Sequence, residues 1–216
     1  MSHNQLKLYC ISGLGADERV FQNLKINADL VHLPWLEPKP SESIQDYSKR
    51  LAQSIDTSQS FGIVGLSFGG LITVEMGQFL DPKFVILISS IEIRQDIPLL
   101  YRFAGHLKMA HWFPSAWFKP PKRLVKFLFG TKNTKILYPV IEDSDPKFIK
   151  WAIQVLISWE NQSRLPQSYK INGDLDRLFS PQKANNTIVI KGGHHLMILD
   201  KADEVSDHIN QIIENN

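Results

Sequence analysis

Residues 61–69 read FGIVGLSFG, an apolar run that ends in the pattern G-x-S-x-G. Such a run is typical of a strand buried on both faces, and helical periodicity follows it up to Leu80, before Asp81-Pro82. A serine between a buried strand and a helix lies on a sharp, strained turn, with its hydroxyl next to a helix N-terminus that favours negative charge. Ser67 is therefore a candidate nucleophile. The alternative is a tight turn in which Ser67 only caps the helix.

Strand and helix patterns alternate on both sides of this stretch. Five further apolar runs are typical of strands: 6–11, 28–35, 84–88, 169–172 and 186–191. Helical patterns lie between or after these runs and include 44–55 and 201–213. This alternation predicts an α/β fold with a mostly parallel sheet of about six strands, flanked by helices. The length of 216 residues fits one domain spanning 1–216.

Residues 97–164 interrupt the alternation. The periodicity there is helical, prolines cluster, and Asp145-Pro146 is a typical start for a helix. We interpret 97–164 as a helical insertion between two late strands. Its aromatic residues Trp112 and Trp117 are candidates for lining an acyl pocket; the alternative is that they pack the insertion against the core.

Two later loops supply the groups that an active serine needs, a base and an acid that orients it. Gly173-Asp174-Leu175-Asp176 follows the strand 169–172, and His194-His195 follows the strand 186–191 through Gly192-Gly193. Parallel sheets place their sites at the carboxyl ends of their strands, so these groups are expected to meet Ser67. Either aspartate and either histidine fits the pattern at this point. The order Ser, Asp, His is that of the α/β-hydrolases.

The first turn, residues 12–17 with the sequence SGLGAD, differs from a dinucleotide-binding turn. Glu18 stands where the G-x-G-x-x-G pattern requires its last glycine. Bare backbone in such a turn approaches a ligand closely, so an N–H of this loop and that of Phe68 are candidates for binding the oxyanion of a tetrahedral intermediate.

Taken together, these motifs resemble the α/β-hydrolase superfamily over nearly the whole chain. The resemblance implies that Ser67 is the nucleophile, that Asp176 is the acid through the G-x-x-D turn, and that His195 is the base through the G-x-x-H loop. It implies an oxyanion hole from the backbone N–H groups of Phe68 and Leu14, and it places the helical cap of the family at 97–164. Ser12 departs from the family, which often has histidine there, and the first strand begins almost at Met1, so a trimmed member is expected.

Composition excludes several other classes. Lys and Arg number 24 against 22 for Asp and Glu, a net charge of +2, so binding to nucleic acid is not indicated. The single cysteine, Cys10, has no internal disulfide partner, and we expect a cytoplasmic protein without stable membrane insertion. No metal or organic cofactor is expected.

The function expected from the sequence is hydrolysis of a small carboxylic ester or thioester by acyl transfer to Ser67. The alternative is a catalytically silent relative that binds a small hydrophobic ligand or a partner protein through its cap.

Overall fold

A parallel β-sheet organises the molecule. The computed structural model describes residues 5–106, 114–115, 121–182 and 186–216. The strands of the sheet are β1 (Lys7–Ile11), β2 (Asp29–His32), β3 (Phe61–Leu66), β4 (Val85–Ile88), β5 (Ser168–Gly173) and β6 (Thr187–Ile190). Their order is β2-β1-β3-β4-β5-β6, and each neighbouring pair is parallel. The predicted sheet of about six mostly parallel strands is confirmed.

Helices connect and cover these strands. In the described part of the chain they are α1 (Ile44–Leu51), α2 (Phe68–Gly77), α3 (Leu99–His106), α4 (Lys122–Phe129), α5 (Thr134–Asp143), α6 (Pro146–Ser158), α7 (Met197–Asp200) and α8 (Ala202–Glu214). Short 3₁₀ helices occupy Glu18–Phe21, Ala52–Ser54 and Arg94–Asp96. The helices α3 to α6, which we call the insertion helices, lie between β4 and β5, where the sequence predicts the insertion 97–164.

Two helix starts follow directly from side-chain chemistry. Ser43 accepts a hydrogen bond from the Asp46 N–H at 3.1 Å, which caps α1 as the sequence spacing indicates. Asp145 accepts one from the Lys147 N–H at 2.9 Å, and Pro146 is the first residue of α6. Proline fits this position because its missing N–H would have no acceptor within the helix.

The core lies on both faces of the sheet. Along β1, Tyr9 and Ile11 belong to a cluster packed under α1, α2 and α6, whereas Leu8 and Cys10 belong to a second cluster packed under α5 and α8. Because successive residues of a strand face opposite sides, a strand buried on both faces must be apolar throughout. This is why β3 is a continuous apolar run.

The strand order also positions the site. The chain passes from β1 to β2 at one edge and then crosses back to β3 on the other side of β1. Ligands of open parallel sheets bind in the crevice at the carboxyl ends of the strands where the direction of winding reverses. Here that crevice lies between the loop after β1 and the turn after β3.

Candidate active site

Ser67 occupies the sharp turn between β3 and α2. Its backbone angles are φ 52° and ψ −119°, a conformation that a residue with a side chain rarely adopts. The flanking glycines allow the turn to be this tight. A Cβ at Gly65 would lie 2.6 Å from the backbone of Gly69, and one at Gly69 would lie 2.3 Å from the Ser12 carbonyl oxygen. Side chains at these two positions would therefore clash with the turn.

Backbone and side-chain hydrogen bonds from β4 and the residues after it hold this turn. The Ser67 N–H donates to the Ile88 carbonyl oxygen at 2.9 Å. The Ser90 hydroxyl donates to the Ser67 carbonyl oxygen at 2.6 Å. Hydrogen bonds thus fix both the N–H and the carbonyl oxygen of Ser67. Neither bond uses the Ser67 hydroxyl, which remains available to the candidate site.

His195 and Asp176 align with the Ser67 hydroxyl. The Nε2 atom of His195 lies 2.8 Å from the Ser67 Oγ atom, and its Nδ1 atom lies 2.9 Å from the Asp176 Oδ2 atom. The side chains of His195 and Asp176 are 1% and 0% exposed. The Asp176 Oδ1 atom also accepts hydrogen bonds from the N–H groups of Leu178 and Phe179 at 2.8 and 3.0 Å. The carboxylate is therefore fixed from two directions, and it fixes the imidazole in turn.

The alternative residues of these two loops make other contacts. The Nδ1 atom of His194 lies 3.2 Å from the Leu175 carbonyl oxygen, and the residue is half-buried. The Asp174 carboxylate accepts a hydrogen bond from the Gly192 N–H at 2.6 Å. Asp174 thus joins the two loops to each other. Asp176 contacts His195, and His195 contacts Ser67.

The two loops also touch through bare backbone. A Cβ at Gly173 would lie 2.1 Å from the Gly193 carbonyl oxygen. The Leu175 N–H donates to that same Gly193 oxygen at 2.9 Å. The glycine at the start of the acid loop is thus needed for the approach of the histidine loop.

The loop after β1 closes the site from the other side. A Cβ on Gly13 would lie 3.4 Å from the Cβ atom of Ser67, so the loop backbone passes directly beside the candidate nucleophile. The Ser12 hydroxyl donates to the Ala16 carbonyl oxygen at 2.7 Å and closes the loop on itself. Phe68 is the first residue of α2, where helix geometry leaves the backbone N–H without an intrahelical acceptor. Leu14 follows Gly13 in the loop, so both candidate donors belong to segments that adjoin Ser67.

An apolar cavity of about 210 Å³ opens beside Ser67 and His195. Apolar residues of the insertion helices α4 and α5 form much of its wall: Val125, Leu128, Ile136, Leu137, Val140 and Ile141. No sequence motif marks these residues as part of a pocket. The candidate pocket residues Trp112 and Trp117 lie outside the described residues.

The Tyr101 phenol is a further titratable group whose pKa is affected by the buried Asp176 carboxylate. Burial raises the pKa of the Tyr101 phenol on α3, and the negative charge of Asp176 raises it further. The first insertion helix therefore brings a neutral hydroxyl into the electrostatic field of Asp176.

Metal and membrane motifs are not found in the described part of the chain. No group of three or more His, Cys, Asp or Glu side chains is arranged there to hold a metal ion. None of the helices described combines the length and the hydrophobicity that crossing a bilayer requires.

Comparison with known proteins agrees with this architecture. No protein-family model and no curated protein matches the sequence. Among solved structures, a lipase-esterase related protein from Clostridium acetobutylicum is similar, with a TM-score of 0.69 and 15% identity over 95% of this chain and 93% of that one. A thermophilic esterase from Thermogutta terrifontis gives a TM-score of 0.71 at 12% identity, covering 97% and 90%. The RedJ thioesterase from Streptomyces coelicolor gives 0.66 at 13% identity, covering 96% and 90%. The chain has the α/β-hydrolase fold.

Proposed function

We propose that the protein is a serine hydrolase that cleaves small carboxylic esters or thioesters through an acyl-enzyme on Ser67. The observation that carries this proposal is the continuous hydrogen-bonded alignment of Ser67, His195 and Asp176, with 2.8 Å between the Ser67 Oγ and His195 Nε2 atoms and 2.9 Å between the His195 Nδ1 and Asp176 Oδ2 atoms. A hydroxyl beside a buried, oriented imidazole is the arrangement that activates serine for attack on a carbonyl carbon.

In the first half of the reaction, the Ser67 oxygen attacks the substrate carbonyl carbon while its proton passes to the Nε2 atom of His195. The resulting imidazolium lies against the Asp176 carboxylate, which stabilises its positive charge. The tetrahedral intermediate then collapses. The bond to the leaving alcohol or thiol breaks, His195 returns its proton to that leaving group, and the acyl group stays on Ser67.

The second half repeats this chemistry with water. His195 takes a proton from a water molecule, and the water oxygen attacks the acyl carbonyl carbon. Collapse of the second tetrahedral intermediate breaks the ester bond to Ser67. The proton returns from His195 to the serine oxygen, so that a carboxylic acid leaves and the enzyme is restored.

Both tetrahedral intermediates carry a negative oxygen. The N–H groups of Phe68 and Leu14 are proposed to bind it, since Phe68 begins α2 and the loop of Leu14 passes beside Ser67. Losing one such donor typically reduces kcat by about 10²-fold to 10³-fold.

Turnover of p-nitrophenyl acetate and of an acetyl thioester tests the proposal. Ser67→Ala should lower turnover by at least about 10³-fold, because the covalent route is lost, with an unchanged thermal midpoint. His195→Ala should do the same, and His194→Ala is its matched control. Full turnover by Ser67→Ala would refute the proposal. Absence of turnover by the wild-type protein on every ester and thioester offered, short or long, would favour the silent ligand-binding alternative.

The place of action is proposed to be the cytoplasm. The chain has a single cysteine, Cys10, and its thiol is buried. A protein that uses no disulfide is compatible with a reducing compartment. Cell fractionation tests this, and recovery in an exported fraction would contradict it.

A further inference from the structure

Two cavities meet beside the loop after β1. Gly15, Ala16 and Ser144 border both of them. A Cβ on Gly15 would lie 2.8 Å from the Ser144 Cβ atom, so the loop and the end of α5 are in close contact at this border. The two cavities differ in size and in chemistry, and only the smaller one includes Ser67 and His195 in its wall.

The larger cavity, of about 490 Å³, is unsuited to an aliphatic chain. Its wall contains five carboxylate side chains: Asp17, Glu18, Glu37, Asp143 and Asp145. An aliphatic chain in this cavity would displace water from these charges without offering them a hydrogen bond, and that desolvation is costly.

The smaller cavity has the opposite character. Leu137, Val140 and Ile141 on α5 are spaced by three and four residues, so they lie on one face of the helix, and all three line the cavity. Val20 lines it from the 3₁₀ helix after β1. A space lined mainly by aliphatic side chains favours an apolar group over ordered water.

The cavity volume limits the length of the chain that it accepts. A cavity of about 150 Å³ lined by aliphatic and aromatic side chains holds benzene, a molecule of six carbons. By proportion, about 210 Å³ holds about eight carbons.

We propose that the acyl group of the substrate is an apolar group of about six to eight carbons, bound under α4 and α5 in this cavity. This inference rests on the proposed function, since it assigns a substrate class to the same Ser67. The reaction order favours the acyl group over the alcohol as the occupant. The leaving group must depart and water must replace it before the second half-reaction, whereas the acyl group stays bonded to Ser67 and can remain in the cavity through both half-reactions.

The inference is tested with two series of p-nitrophenyl and alkyl esters. In the first series, p-nitrophenyl esters from acetate to dodecanoate vary the acyl chain. Each added methylene should raise kcat/KM by about threefold to fourfold until the chain reaches about eight carbons, after which kcat/KM should fall. In the second series, acetate esters of alcohols from methanol to octanol vary the leaving group, and kcat/KM should change little.

Substitutions on α5 test the location of the chain. Val140→Phe adds four carbons to the cavity wall and should move the optimum to shorter chains by about two carbons. Val140→Ala should move the optimum to longer chains. This smaller substitution provides the test if the larger side chain of Val140→Phe prevents folding. Val155→Ala is the matched control, because Val155 is also buried in the insertion helices but packs in the other core cluster. The acyl chain length with the highest kcat/KM should be the same in Val155→Ala as in the wild type.

Failure of the acyl-chain inference can be distinguished from failure of the proposed function. Turnover of acetate that depends on Ser67, combined with a flat acyl profile, would overturn this inference and leave the proposed function intact. A dependence on alcohol length in place of acyl length would do the same, as would an equal shift in the Val155→Ala control. Absence of Ser67-dependent turnover on every ester would overturn the proposed function and the inference with it.

Discussion

The Trp35 indole N–H donates a hydrogen bond to the Gly13 carbonyl oxygen at 3.2 Å, and this bond ties the loop beside Ser67 to the chain that follows β2. The Trp35 ring is held by Phe148 and Phe68, with ring centroids 4.9 and 5.8 Å away. A residue outside the proposed chemistry thus sets the position of the backbone that is proposed to bind the oxyanion.

Replacing Trp35 by phenylalanine removes this hydrogen bond and keeps an aromatic ring in the cluster. We expect kcat for a short ester to fall about tenfold with little change in KM, because a loop displaced by a fraction of an ångström binds the transition state less well. Trp151→Phe is the matched control, since the Trp151 indole donates to the Glu42 carbonyl oxygen at 3.1 Å, outside the loop. Equal losses in both variants would show that the effect is one of packing.

The two aspartates of the acid loop should respond differently to the same change. Asp176→Asn should lower kcat by about 10⁴-fold, because an amide no longer stabilises the imidazolium and favours the wrong tautomer. Asp174→Asn should cost less than about tenfold, since its carboxylate joins two loops and does not contact His195. Steady-state kinetics on one ester compares them. A larger loss for Asp174→Asn would show that the acid has been assigned to the wrong residue.

An ionic cluster with buried carboxylates joins the two ends of the insertion. Arg164, at its end, lies 3.0 Å from Asp96 and 2.7 Å from Glu92, and Lys170 on β5 lies 3.3 Å from Asp96. Burial acts to raise the pKa of Asp96, but the hydrogen bond from Arg164 and the charge of Lys170 outweigh it, so that the pKa lies below its usual range. The ionised carboxylate is therefore the form that the folded protein stabilises.

Asp96→Asn should lower the free energy of unfolding by about 3 kcal/mol at pH 7, because it leaves the buried Lys170 ammonium without its carboxylate partner. A carboxyl with a lowered pKa in the folded state contributes stability above its unfolded pKa and loses it as the pH falls through the folded value. The difference between wild type and variant should therefore shrink from pH 5 towards pH 2, as measured by urea unfolding. Asp203→Asn, in an exposed ion pair with Lys25, is the control and should change little. A difference that stays constant down to pH 2 would contradict this account.

Cys10 should be unreactive in the folded protein. Burial raises the pKa of its thiol to about 12, so very little thiolate is present near neutral pH. At pH 8 a thiol reagent such as dithionitrobenzoate should label one thiol per chain in guanidinium and none in buffer. Rapid labelling of the native protein would show that β1 opens to solvent.

The sheet was largely predictable because buried parallel strands are apolar throughout. The run 61–66 coincides with β3, whereas the run 28–35 yields only Asp29–His32 as β2. β2 is an edge strand, and its last residue pair with β1 is Cys10 and His32. Pro34 follows two residues later and has no N–H with which to continue the pairing. Helix α2 ends at Gly77, whereas the apolar pattern extends to Leu80, which lies in a turn held by a bond from its N–H to the Met76 carbonyl oxygen.

The motifs also indicated where the candidate site lies, but not which residues line its cavity. G-x-S-x-G requires an unusual backbone, and the glycines beside Asp176 and His195 mark loops that must touch, so these positions leave a local signal. Val140 leaves none. Its helical spacing with Leu137 and Ile141 is the same whether that face packs against a core or borders a cavity, and only the tertiary arrangement distinguishes the two.

The central claim is that Ser67 is the activated nucleophile, and covalent labelling with a fluorophosphonate, followed by peptide mapping, tests it most directly. We expect one adduct per chain, on Ser67, with labelling at least about 10²-fold slower in His195→Ala and unchanged in His194→Ala. Labelling of another residue, or labelling of Ser67 at the same rate without His195, would contradict the account.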